Sequence, residues 1–419
     1  MSAAAALRLW FLLTCEVRDH SHVAAMCRSL TEIWGFRSGL TLAFRDKVII
    51  FRRNDKGAEI MPEFAADQLG VQRCGIFSEL PEFLRSFGVD PKPLLEKHGF
   101  ACGDLDDRDR ALPFASVVRL LDDCARVTEN GAFGFLLGLR ARIEHLGLIG
   151  EMVRSAPTLG RAVRAHIENH HRIVRGGAPY VVEQDPYIVR QKDQTLIGYR
   201  CLISGLPSLQ FLLASVGAGV ALVHELTGQL PKEILFACSE TAVPAADEIR
   251  AAVKPARVVF ESHHFGFTYP KHVVDLPLPS ADPVKFERTM KQVHGYWNDL
   301  EPDFADQIRR LLLPALHAER AHMHMVCEAT GLTPRTVNRR LAEQGTTLRT
   351  LVNETRYSIA RQLLRHTHLP VAAVAQVMGY SEPGVFVRAF RQWSGSTPDS
   401  WRKSLPRMPA GPTQSTTVV

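Results

Sequence analysis

Between about residues 75 and 294 the spacing of apolar residues switches between helical and alternating periods, and each switch marks an element. Phe114, Val117, Val118, Leu120 and Leu121 share one helical face and predict an amphipathic helix over 113–129. Shorter helices are predicted at 81–87, 93–98 and 132–139, and another leads from Leu146 through Met152 and Val153. Thr158, after Ser155-Ala-Pro, has the side chain that caps a further helix, expected to run to Val174. The period then becomes strand-like at 179–182, at 187–190 beyond a turn at Asp185-Pro186, and at 196–203. The thirteen-residue apolar run 211–223 is too short for a bilayer and reads as a buried core helix, with Gly217 and Gly219 suited to a close helix contact. Strands are expected at 233–236, 258–260 and 265–269. A stiff Leu276-Pro-Leu-Pro-Ser280 and an amphipathic helix over 282–297 follow. The expectation is an α+β domain over 75–294, mostly helical with a small antiparallel sheet.

Beyond residue 305 the pattern is wholly helical, and one arrangement occurs twice. In each copy a short apolar helix meets a glycine (Gly331, Gly379), then Thr333 or Ser381 as cap, then a second helix. The glycine suits the sharp stop, the hydroxyl can hold open N–H groups, and Pro334 and Pro383 fit a first turn that needs no donor. These are two helix-turn-helix units, which lay their second helix in the DNA major groove. In the first, Val337 and Leu341 face the core and leave Arg335, Asn338 and Arg339 outward, side chains that pair with guanine and adenine edges. Between the copies, Thr347 caps a longer helix carrying Leu348, Leu351, Val352, Ile359 and Leu363, a strut joining the two reading heads.

Charge sharpens this reading. The chain has 419 residues and net charge +6. From Pro314 to Arg407 there are 13 Lys and Arg against 6 Asp and Glu, so the excess positive charge sits on the twin motif, where it suits phosphate contacts. The eight cysteines are scattered without a C-x-x-C pair, which argues against a disulfide framework or zinc ribbon and for a reducing cytoplasm. Residues 1–70 fit the rest poorly and are expected to be an N-terminal extension. A helix is expected there over 3–15, and a strand over 40–51 that stops at Arg52-Arg-Asn-Asp-Lys-Gly57. Residues 406–419 read as a disordered tail.

The C-terminal region closely resembles the AraC family of bacterial transcription regulators. The resemblance rests on Arg339-Arg-Leu-Ala-Glu-Gln-Gly345, Arg356-Tyr-Ser-Ile-Ala-Arg-Gln-Leu-Leu364, Gly379-Tyr-Ser-Glu-Pro383 and Phe386-Val-Arg-Ala-Phe-Arg-Gln-Trp393 through Arg402. Departures are Ala373 for an acid, Thr330 for a large aliphatic, and Gly384 and Val387 for small polar residues. Upstream, Phe87-Gly-Val-Asp-Pro91, Leu146-Gly-Leu-Ile-Gly150, Ser155-Ala-Pro-Thr-Leu-Gly160 and Leu276-Pro-Leu-Pro-Ser-Ala-Asp-Pro283 resemble the arabinose-binding-type effector domain of one branch. The resemblance implies an all-α DNA-binding domain at 305–405 read through Thr333, Arg335, Thr336, Asn338, Arg339, Arg340, Ser381, Pro383, Gly384, Val387 and Arg388. It further implies promoter DNA, a small-molecule effector and RNA polymerase as partners, activation rather than repression, room for a homodimer and no membrane.

For the effector, the polar pairs His170-His171 and His263-His264 interrupt apolar elements, and Arg154 or Arg200 could meet an acidic ligand. The expected pocket lies between the helix bearing His170 and His171 and the strands from Tyr180 to Ile203. His317, His322, His324 and Cys327 lack the spacing of a metal site, and no nucleophile elbow, phosphate loop or dinucleotide fingerprint occurs, so no cofactor is expected. The competing reading is a small-molecule binding protein or enzyme with an incidental basic helical tail.

Overall fold

The computed structural model describes residues 41–44, 47–54, 57–60, 64–65, 70–183, 193–203, 206, 208–296, 304–317 and 323–405. The expected helix at 3–15, the strand at 187–190 with its turn, and the tail at 406–419 lie outside them. The chain divides into two compact units, Met1–Gln68 and Leu69–Val419. In the first, β1 (Thr41–Phe44) pairs antiparallel with β2 (Lys47–Asn54), which also pairs with β3 (Gly57–Ile60) and β4 (Phe64–Ala65). The single strand expected over 40–51 is thus two antiparallel strands, and the second runs past Arg52 to Asn54, because polarity does not break a strand whose neighbour completes the backbone hydrogen bonds.

In the second unit, β5 (Val71–Arg73) pairs with β6 (Ala111–Pro113), framing α1 (Leu80–Ser86) and α2 (Pro91–Lys97). Four helices follow: α3 (Phe114–Val127), α4 (Phe133–Leu139), α5 (Leu148–Arg154) and α6 (Leu159–Asn169). Thr158 caps α6, accepting from the Arg161 N–H at 3.2 Å. The helix expected to reach Val174 stops at Asn169, and His170–Arg172 tighten into a 3₁₀ turn.

The sheet contains β7 (Gly177–Val182), β8 (Gln194–Cys201), β9 (Glu233–Leu235), β10 (Arg257–Val259) and β11 (Gly266–Pro270), in the order β10-β9-β11-β8-β7. All its pairs are antiparallel, as expected, except the edge pair β9–β10, which is parallel. Side chains alternate across β8: Ile197, Tyr199 and Cys201 join the main core, whereas Leu196 packs with Tyr180, Val182 and Leu313 on the other face.

The apolar run seen in the sequence extends into a 19-residue helix, α7 (Leu209–Thr227), long and apolar enough to cross a membrane by composition. With 67% of its most apolar window buried, it is instead the core helix of this unit. Glycines let it lie against α4: a Cβ on Gly217 would meet the Phe135 carbonyl oxygen at 2.3 Å, and one on Gly138 the Ala214 carbonyl oxygen at 2.2 Å. Beyond it come α8 (Ala246–Ala252), α9 (Lys271–Val274) and α10 (Pro283–Tyr296), the last packed on α5.

The all-helical part comprises α11 (Phe304–His317), α12 (Met323–Thr330), α13 (Pro334–Glu343), α14 (Leu348–His366), α15 (Val371–Val377), α16 (Pro383–Ser394) and α17 (Pro398–Ser404). α11 packs on β7 and on α14, and so belongs to both regions. At the far end of α14 the Ser239 N–H donates to the His366 carbonyl at 2.6 Å, and the His368 N–H to Glu261 Oε2 at 2.9 Å.

Candidate functional site

Two helix-turn-helix units stand where the sequence places them, α12–α13 and α15–α16, joined by α14. Gly331 (φ +67°) and Gly379 (φ +75°) take the left-handed conformation each turn requires. Thr333 caps α13, its hydroxyl oxygen accepting from the Thr336 N–H at 3.3 Å. Ser381 does not cap α16, contrary to expectation. The residue before a proline must be extended, so Glu382 becomes the cap position ahead of Pro383 and Ser381 falls one residue outside.

On α13, Val337 and Leu341 are fully buried, while Arg335, Asn338, Arg339 and Arg340 are exposed and Thr336 half-buried. Arg339 is paired with Glu343 at 2.5 Å, an exposed ion pair of small worth. The Arg340 guanidinium lies over the Phe304 ring of α11, 5.4 Å from its centroid, so the structure gives it a packing role. On α16, Phe386 and Phe390 are buried; Pro383, Gly384 and Arg388 are exposed and Val387 is half-buried. Val385, absent from the sequence-based set, is 38% exposed on this helix, as follows once Phe386 and Phe390 define the buried stripe. The 19-residue α14 buries Leu348, Leu351, Val352, Ile359 and Leu363 and spans about 28 Å.

The second site is a cavity of about 180 Å³ in the α+β region. Its walls come from α6, the 3₁₀ turn, α7, β8 and β11, and are mostly apolar, with Val163, Ile197, Phe211, Leu222 and Phe267 among them. A hydrogen-bonded file crosses one wall: His166 Nε2 is 3.1 Å from His170 Nδ1, and His170 Nε2 is 2.9 Å from Tyr199 Oη. Burial lowers the His166 pKa to about 4, pushes that of His170 well below its usual value, and raises that of Tyr199, so all three are neutral near pH 7.

Of the expected effector residues, only His170 lines this cavity. His171 does not, because a 3₁₀ turn rotates about 120° per residue and sends neighbours apart. Arg200 follows Tyr199 on a strand and so faces the other side of the sheet, over the Tyr180 ring at 5.6 Å. Arg154 is half exposed and ion-paired with Glu225 at 2.6 Å. His264 is buried against Tyr180 Oη at 2.7 Å, again on the opposite face. Sequence reasoning missed His166, whose i, i+4 spacing to His170 was the available signal. It also missed Tyr199. Among the described residues no group of three or more His, Cys, Asp and Glu is arranged to hold a metal.

The comparisons agree with this geometry. The family model for the arabinose-binding domain of AraC transcription regulators (N-terminal) matches residues 88–278, and a helix-turn-helix domain model matches 326–404. The chain is an AraC-type transcriptional regulator. This regulator is 28% identical over 337 residues to an uncharacterised HTH-type transcriptional regulator of Mycobacterium tuberculosis, covering 77% of this chain and 94% of that one. It is 23% identical over 334 residues to the ornithine utilization regulator of Pseudomonas aeruginosa, covering 78% and 94%. The solved transcriptional regulator CdpR of P. aeruginosa overlaps it with a TM-score of 0.37 at 20% identity, covering 77% of this chain and 97% of that one.

Proposed function

We propose that this AraC-type regulator activates transcription in the cytoplasm in response to a small molecule held in the cavity of its α+β region, residues 75–294. Residues 305–405 read DNA. Supporting this is one observation above all: the cavity wall carrying His170 and Tyr199 stands close to Arg310 of α11, the helix that packs against the strut of the DNA-reading region. A ligand that binds one arrangement of wall and helix better than another shifts the balance between DNA-binding states. In this reading α13 and α16 enter successive major grooves about 34 Å apart. Arg335, Asn338 and Arg339 specify one half-site; Arg388, with apolar contact from Val385 and Val387, specifies the other. Gel shifts on the DNA upstream of its own gene, with and without extracts of cells grown on different carbon sources, test it. Salt-sensitive, sequence-selective binding that changes with one extract is the expected result. Binding with no sequence preference would overturn it.

A further inference from the structure

One side of the strut α14 is polar and charged. Arg349, Asn353 and Arg356, spaced four and three residues apart, share that side and flank the buried row of Leu348, Leu351, Val352 and Ile359. Together with Asn338 of the reading helix they line an open groove between α12, α13 and α14, and among the described residues no acid lines it. Arg349 is exposed and, among the described residues, makes no ion pair. Arg356 is half-buried, with its Nε lacking a hydrogen-bond partner and its guanidinium 5.1 Å from the centroid of the Tyr380 ring. Tyr380 follows the Gly379 turn and packs on Phe386 of α16, ring centroids 5.7 Å apart. The groove thus runs from the first reading head, at Asn338, toward the second, at Tyr380.

We propose that this groove seats the sugar–phosphate backbone of the DNA between the two half-sites, with Arg349 and Arg356 meeting phosphates. This rests on the reading of α13 and α16 as the helices that enter successive major grooves. Between two major grooves on one face of a duplex, the minor groove and its two bordering backbones turn toward the protein. The side of the strut that shares a groove with Asn338 is the side turned to them. Rising about 1.5 Å per residue, α14 separates Arg349 from Arg356 by about 10 Å. A minor groove about 6 Å wide fits between the two, so each arginine can reach the backbone on its own side. Guanidinium groups in a groove without a carboxylate suit phosphate, whose oxygens accept their forked donors. Asn353, between them, offers a neutral donor to the same backbone. Such contacts carry affinity and register, not base preference.

Salt titration of DNA binding by the full chain tests the assignment, on a duplex recovered by binding-site selection and on one of mixed sequence. Arg349→Gln is expected to lower the slope of log K against log salt by about 0.9 on both duplexes, the counterion release of one phosphate. Its base preferences in a repeated selection, and its melting temperature, should match the parent's. Methylphosphonates placed midway between the half-sites remove charge from those phosphates alone. They should weaken binding by the parent and leave Arg349→Gln little changed. An unaltered slope, or methylphosphonates that weaken parent and variant equally, would overturn the assignment. A shifted base preference would make Arg349 a base reader and overturn it as well. The reading of α13 and α16 fails differently. Selection then enriches no duplex, while the slopes on mixed-sequence DNA still decide whether Arg349 meets phosphate.

Discussion

His170 Nε2 meets the Tyr199 hydroxyl at 2.9 Å, tying the 3₁₀ turn after α6 to strand β8. The bond is buried and joins two walls of the cavity. Tyr199→Phe keeps the packing but leaves the His170 nitrogen unpaired, so the expected loss is ~1–3 kcal/mol, read from urea denaturation. A stability equal to that of the parent chain would show that the turn does not depend on the strand.

Acid should unfold this protein early. His166 and His366 have their pKa values lowered to about 4 by burial, and His170 shifts in the same direction. Above about pH 6.5 both folded and unfolded forms leave these rings neutral, and no stability is lost. As pH falls from about 6.5 toward 4 the unfolded chain takes up protons that the folded one refuses, and stability drops by up to roughly 3 kcal/mol per ring. Thermal denaturation across this window should show a falling Tm, with a shallower slope in His166→Gln.

Neighbouring arginines on α13 should separate by function. Arg335→Ala is expected to cost about 1–3 kcal/mol of specific DNA affinity and to relax one base preference. Arg340→Ala should chiefly lower the melting temperature, because its guanidinium covers Phe304. Binding-site selection beside thermal melts of both variants distinguishes the roles, and equal effects of the two on base preference would refute the assignment.

The rigid α14 strut makes half-site spacing a geometric constraint. Inserting about five base pairs, half a helical turn, between the half-sites should weaken binding at least tenfold, since one head then faces away from its groove. Unchanged affinity in a gel shift would mean that a single head engages.

Arg310 stands on α11, the helix that packs both on β7 and on α14. It sits on α11 near Tyr199 and His170, with Nε and Nη1 buried and without hydrogen-bond partners. Replacing such a group by an apolar side chain of similar length is commonly neutral or favourable. Arg310→Met should therefore melt no lower than the parent while altering the ligand dependence of DNA binding. A large loss of stability would refute this.

The DNA-reading half was legible because its rules are local. Glycine stops, a threonine cap and the Val337/Leu341 stripe each determine structure within one turn of chain, and they place Arg335 and Asn338 outward without reference to anything distant. The cavity of the α+β region was legible only in outline. His170 was found because it interrupts an apolar helix, but the choice between Tyr199 and Arg200 depends on which face of β8 meets α7. That is set by strand pairing with β7 and β11 across the chain. A charged residue draws the eye to a site, and here the fold turned it to the opposite face. Ser381 failed as a cap for a local reason, the proline two residues on, which the sequence did display.

The seam between Ser239 and His366 is made of main-chain atoms alone. Any amino acid with an N–H can stand at 239, and any residue at all can supply the carbonyl at 366. That hydrogen bond can therefore survive a change of side chain at either position, whereas its neighbour, the His368 N–H on Glu261 Oε2, needs the carboxylate. Proline at 239 is the one substitution that takes away the donor.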